Sequence, residues 1–398
     1  MGGGWRSNAM NTENGQSVRL SPGLARRAIR FSFAQSMIGA IYGASTGGMF
    51  LIGYALKLGA DNVRIGLMST IPMLVIGVQL LTAAVIEKGV SRRKLTFVFA
   101  LLNVLSWALV ILIPYAAAGA SSSVKTSILI GIITCVTLFA YVSGNARGSW
   151  IGDLIPSRFR GRFFGNAAMY AGIIAAVFAI LEGWFLDVVK DMGIGAFSLL
   201  FGFGMVFGLI NAWLFLPQAD VPLTRHEASG SLWRMIRETL SNRLLMVVTA
   251  FVTVWSLQSV AGPFYATYML RDMGMSFRGV GCVNAVWMVS WLVSGPIWGR
   301  VVDRWGCRPV LVACAAALGP LQAVWLWIDT PARVYAVIPI ANVFAGFLTG
   351  GVGVGISTLL YKATPAAGRS VQFAVYSVLV VLLAAPFPTL GGCLPGWL

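Results

Sequence analysis

Catalysis needs nucleophiles, bases or metal ligands, and this 398-residue chain is short of all three. Its single histidine, His226, lies in a polar stretch, so a Ser-His-acid triad would have to recruit that one imidazole. Five cysteines (Cys135, Cys282, Cys307, Cys314 and Cys393) form no Cys-x-x-Cys pair and stand at no metal-ligand spacing from a histidine. No metal site, no cofactor and no enzymatic reaction are therefore expected. Two ionisable residues stand out for a different reason: Arg147 and Glu182 fall inside long apolar runs. A charge there is costly unless it is paired or faces water, which marks it for binding, gating or ion transfer. Glu182, the one carboxylate in such a run, is the candidate proton carrier. Arg147 suits either half of an ion pair or a ligand for an anion.

The same apolar runs carry the amides and phenols of Gln35, Tyr42, Tyr141, Asn145, Gln258, Tyr265 and Asn342. Buried polar groups must be bonded or must bind something. Serines and threonines in these runs, among them Thr134, Thr137 and Thr249, are expected to bond carbonyls of their own helix.

The elements that position these residues must be membrane helices. The chain is 58% hydrophobic and 11% charged, against about 45–50% and 25% for soluble domains, too few charges to cover a soluble surface. About 20 mostly apolar residues cross a bilayer as a helix. Eleven runs qualify, at 31–56, 64–86, 95–117, 126–150, 163–187, 193–217, 244–270, 278–299, 309–328, 334–361 and 371–389; they are called spans one to eleven. The polar stretch 218–243 separates six spans from five. The fold class is an all-α polytopic membrane protein: a tail at 1–30, a six-helix bundle at 31–217, a central loop at 218–243 and a second bundle at 244–398.

Net charge is +16, but the basic residues sit in short clusters between spans, which does not make a nucleic-acid surface. With the N-terminus inside, 21 of the 29 lysines and arginines lie in inner segments and seven in outer loops, whereas acids divide seven to five. Such a bias in basic residues alone sets topology. A multi-pass plasma (inner) membrane protein with a cytoplasmic N-terminus is expected.

The two groups of spans repeat one another. Glu87 after span two and Asp303 after span eight are 216 residues apart; Pro156 and Arg160 after span four match Pro365 and Arg369 after span ten at an offset of 209. Gly299-x-x-x-Asp303-Arg304-x-Gly306-x-Arg308-Pro309 resembles motif A of the major facilitator superfamily, and DLIPSRFRGR (153–162) resembles that superfamily's loop after its fourth helix. The resemblance covers essentially all of residues 20–390. The first-half copy of motif A departs from the pattern, with Glu87 for Asp and Val90 for Gly.

The resemblance implies two six-helix bundles related by a pseudo-two-fold axis, and so a twelfth helix beyond the eleven spans in this sequence. It also implies a central cavity lined by spans one, four, seven and ten, with Gln35, Tyr42, Tyr141, Asn145, Arg147, Gln258, Tyr265 and Asn342 as substrate candidates. Spans six and twelve would support the outside of each bundle. A cytoplasmic gate would be built from Gly299, Asp303, Arg304, Gly306 and Arg308 with Glu87, Arg147, Asp153, Arg160 and Arg369, in which Arg147 pairs with Glu87. Glycines four apart, at Gly39, Gly43 and Gly47, at Gly295 and Gly299, and within 346–355, are expected to let helices approach closely. The function implied is ATP-independent transport of a small solute by alternating access. Hydroxyls, amides and aromatics suit a neutral or weakly charged polar solute such as a sugar. A multidrug-type exporter of amphipathic compounds and a non-transporting membrane sensor or truncated pseudotransporter are the alternatives. Partners expected are the solute, the lipid bilayer and a coupling proton, with no nucleic acid; a monomer is expected.

Overall fold

The computed structural model describes residues 22–87, 89–154, 157–218, 220, 237, 239–364 and 369–393. Every regular element among them is helical. Span three is Arg92–Ala116, span four Ser122–Leu154, span five Ser157–Val188 and span six Ile194–Trp213. Span eight is Phe277–Trp305, span nine Cys307–Ala323 and span ten Pro331–Ala363. At 1.5 Å per residue, a helix of about 25 residues exceeds the roughly 30 Å hydrocarbon core. Spans three, eight and ten start at side-chain caps: Ser91 accepts from the Lys94 amide, Ser276 from Gly279 and Thr330 from Arg333. Leu109, Val206, Val254 and Val312 point outward, as helices apolar on all sides must in lipid.

Four spans are broken. Span one divides into Pro22–Thr46 and Gly48–Lys57 around an extended Gly47. Span two is not the single helix that the run 64–86 suggests. It is Asn62–Leu74, a 3-10 turn at Val75–Gly77, and Val78–Glu87. Pro72 removes an amide and crowds the carbonyl one turn back, so regular hydrogen bonding lapses just beyond it. Among the described residues, ten helical stretches, the broken spans one, seven and eleven included, keep the length and hydropathy of a membrane span, and this one does not. Span seven runs Arg243–Trp255, a 3-10 turn at Ser256–Val260, Gly262–Thr267 and a π turn at Tyr268–Asp272. Span eleven breaks at Pro386, between Arg369–Ala384 and Pro386–Cys393.

Packing repeats between the halves. Span two lies on four, three on four and one on five, as eight lies on ten, nine on ten and seven on eleven. Across the halves, five packs on eight and two on eleven, a pair of contacts that a two-fold rotation would exchange. Span six covers one and three.

The buried cores show where the halves meet. The largest joins Phe50, Tyr54, Trp107, Phe197 and Phe201 of the first half to Phe264, Met269, Val280 and Ile338 of the second. These residues lie toward the end opposite the basic loops. Toward the basic end each half keeps its own core: Trp150, Ile151, Phe163 and Phe215 in the first, and Val302, Val310, Leu311, Cys314 and Val352 in the second.

Candidate functional site

Span one, span six and the turn after it bring together a chain of buried amides. The Ser32 hydroxyl donates to Gln218 Oε1 (3.2 Å), Gln218 Nε2 donates to Gln35 Oε1 (2.9 Å), and Gln35 Nε2 donates to the Asn211 carbonyl (3.3 Å). This chain walls a cavity of about 510 Å³ lined by Gln35, Gly39, Arg147, Gly148, Ala171 and Asn211 among others. A second cavity of about 160 Å³ shares Gly144, Arg147 and Asn211 and reaches Tyr42, whose hydroxyl donates to Asn103 Oδ1 at 2.7 Å. Arg147 stands between the two. Its Nε is buried without a hydrogen-bond partner, and its guanidinium carbon lies 5.9 Å from the centre of the Phe215 ring. Among the described residues no carboxylate pairs with it. The side chain of Glu87, its expected partner, lies outside the described residues, as do those of Asp153, Arg160 and Arg369.

Of the expected cavity residues, Gln35, Arg147 and Tyr42 thus share one region. Asn145 and Asn342 sit elsewhere: each donates to a carbonyl of a neighbouring span, Gln79 O at 2.7 Å and Val283 O at 2.8 Å. These are matching bonds, four to two and ten to eight, and they fasten helix pairs. Tyr265 donates to Gln322 Oε1 at 2.8 Å, tying span seven to nine, and packs against Trp325 with the rings tilted. Gln258 is exposed and Tyr141 half-buried. Thr134, Thr137 and Thr249 bond carbonyls four residues back. Asn211, Gln218 and Asn103 belong to the site region although sequence reasoning passed over them. Their signal was a lone amide in or beside an apolar helix, discounted in the case of Asn211 because span six was assigned to outer support.

Glu182 is 4% exposed, so it does not reach water as a glutamate one turn from an interface can. It accepts a 2.5 Å hydrogen bond from the Ser45 hydroxyl, and its other oxygen is buried without a partner. The carboxyl group therefore sits where spans one, five and six converge, close to Gly204, at which an added Cβ would lie 2.7 Å from that of Ser45.

The end opposite the basic loops is closed across the halves. Asp187, at the end of span five, accepts from the backbone amides of Phe277 and Arg278, both at 2.9 Å, at the start of span eight. An anion at a helix N-terminus meets unpaired amides and a favourable dipole. A Cβ on Gly183 would lie 2.7 Å from the Phe277 carbonyl oxygen, and one on Gly53 would lie 2.5 Å from the Phe277 ring, so only glycine allows this approach. Arg271 donates to Asn62 Oδ1 (2.9 Å) and Thr389 to Thr70 (2.7 Å).

At the basic end Asp303, Arg304 and Arg308 are exposed, and they make no hydrogen bond or ion pair with any described residue. Gly306 has φ +87°, a conformation that side chains resist. Gly295 and Gly299 have nothing within 4 Å of an added Cβ, so the close approach expected of that pair is absent here. Within 346–355, where it is equally expected, it is present: Gly346, Gly350 and Gly351 lie against Trp287, Ser294 and Trp298 of span eight.

Two helical bundles share a buried core at one end and, among the described residues, keep separate cores at the other, with the polar cavities inside the first bundle; the class is a polytopic α-helical membrane protein of two packed halves. The family model of the Major Facilitator Superfamily matches residues 31–388, and the chain belongs to that superfamily. It is similar to the multi-drug resistance efflux pump PmrA of Streptococcus pneumoniae, 26% identical over 270 residues; the match spans 62% of this chain and 60% of that relative's length. Its fold is similar to a bacterial homologue of the iron transporter ferroportin in an inward-facing state (TM-score 0.68, 14% identity, 95% of this chain and 93% of that one). It is also similar to a D-xylose-proton symporter (TM-score 0.65, 14% identity, 93% and 90%) and to the nucleoside transporter NupG (TM-score 0.65, 12% identity, 93% and 89%). Family and fold are those of secondary transporters.

Proposed function

We propose that this protein moves a small polar solute, neutral or weakly charged, across the plasma membrane by rocking residues 31–217 against residues 244–398, with the N-terminus in the cytoplasm. The observation that carries this reading is one-sided closure: a shared core and the Asp187 cap at one end, separate cores and unbonded motif A side chains at the other. With the basic loops placed inside by their lysines and arginines, the arrangement is inward-open. Asp303, Arg304 and Arg308 would latch the halves in the opposite state, and Glu182 would carry a coupling proton. Gln35, Asn211 and Arg147 would meet the solute in the cavity of about 510 Å³, whose described lining comes from the first half.

A second reading has its own support. An apolar cavity of about 680 Å³, lined by Ile180, Val286, Val289, Val293, Val343 and Phe347, suits an amphipathic compound, as does the likeness to an efflux pump. Flux into and out of proteoliposomes, with sugars, organic anions and drug-like cations as probes, separates the two. Saturable movement of polar probes supports the first reading and movement of drug-like cations the second. No movement of any probe above protein-free liposomes would count against both.

A further inference from the structure

The cavity of about 510 Å³ has a feature that transport alone does not require: among the described residues, the charge on its wall is a cation without a counter-ion. Arg147 makes no hydrogen bond or ion pair with any described residue; its one recorded neighbour of note is the Phe215 ring, 5.9 Å away. Contact with a ring offsets little of what it costs to bury a guanidinium. Asn211, on the same wall, also has a buried, unbonded oxygen, and its amide can turn to present either end. The wall also includes Gln35, Ser36 and the small residues Gly39, Gly144, Gly148 and Ala171, and among the described residues no carboxylate lines either cavity. The site is thus rich in donors, free of acids and fitted with a planar fork that matches carboxylate and phosphate oxygens. Its 510 Å³ lies within the range of small-molecule sites.

The geometry points to a singly anionic organic solute, a carboxylate or phosphate ester with a small polar body, whose oxyanion lies against Arg147 and Asn211. This rests on the transport reading for the site's purpose, and it narrows the substrate class to one that drug-like cations do not meet. A cation would face Arg147 unshielded.

The test replaces the five native cysteines and places one at Ala168, on the cavity wall. It compares reaction with a sulfonate-bearing and a trimethylammonium-bearing methanethiosulfonate. The sulfonate should react at least about tenfold faster, as expected beside one unpaired cation. Arg147→Gln should abolish the preference and Arg147→Lys keep it, which separates charge from folding. Inorganic phosphate should slow the sulfonate reaction in the parent and not in Arg147→Gln. Equal rates in the parent, a preference that survives Arg147→Gln, or no slowing by phosphate would each overturn the proposal. The rate ratio needs no flux, so a neutral cavity in a working transporter and an anion-attracting cavity in a protein that moves nothing are distinct results.

Discussion

Removing the carboxylate of Asp187 should open the end that the structure shows closed. Its two bonds to the Phe277 and Arg278 amides join the halves directly, and Ser276 already caps the same helix from within its own half. Asp187→Ala therefore leaves span eight capped and deletes only the bridge. Hydrogen bonds to a charged acceptor contribute about 1.5–3 kcal/mol each when protected, but Asp187 is only half-buried and water can replace part of that. A net loss of about 1–3 kcal/mol is reasonable, which corresponds to a 5–150-fold shift between two states. Met49 reports the change. It is 7% exposed, and its methyl lies 3.2 Å from the Cβ position of Gly281 across the closed end. In a background without native cysteines, a Met49→Cys thiol should react with maleimide 5–150-fold faster once Asp187 is alanine. Asp191→Ala, an exposed acid four residues on, should leave the rate unchanged. Equal rates for Asp187→Ala and its parent, with both folded, would refute the bridge.

Glu182→Gln should abolish solute accumulation driven by a proton gradient while leaving solute exchange intact in proteoliposomes; accumulation equal to the parent would remove Glu182 from coupling. Gly306→Ala should lower the melting temperature, since a left-handed residue other than glycine costs about 1–2 kcal/mol, whereas Gly299→Ala should not, because nothing lies within 4 Å of its Cβ position. Asn145→Ala and Asn342→Ala should each destabilise by about 0.6 kcal/mol, up to about 1.7, the range for a hydrogen bond between membrane helices; unfolding in detergent measures both.

Much of the architecture was legible because membrane helices announce themselves by length and composition alone. The repeat of Glu87 with Asp303 and of Pro156 with Pro365 already implied the paired packing seen in two-four and eight-ten. Span two was misread as continuous because hydropathy is blind to where a proline interrupts hydrogen bonding. The site was harder. Hydropathy marks Arg147 and Glu182 as costly but does not say what faces them, and an amide such as Asn145 looks the same whether it meets a solute or the carbonyl of Gln79. Asn211 was missed through its span's expected place in the bundle, and Asp187 because an acid at the end of an apolar run carries no sign that a helix from the other half begins beside it.

The central claim is that the two halves rock against each other. Spin-label distances measured in one reconstituted sample test it most directly: one pair between Ser121 and Asp329 at the closed end, another between Val90 and Trp305 at the basic end. Alternating access predicts two populations at each end that trade places, so that the distance between Ser121 and Asp329 lengthens as that between Val90 and Trp305 shortens, with Asp187→Ala enriching the state opened at the Ser121–Asp329 end. A single fixed distance at both ends, unmoved by Asp187→Ala, would contradict it.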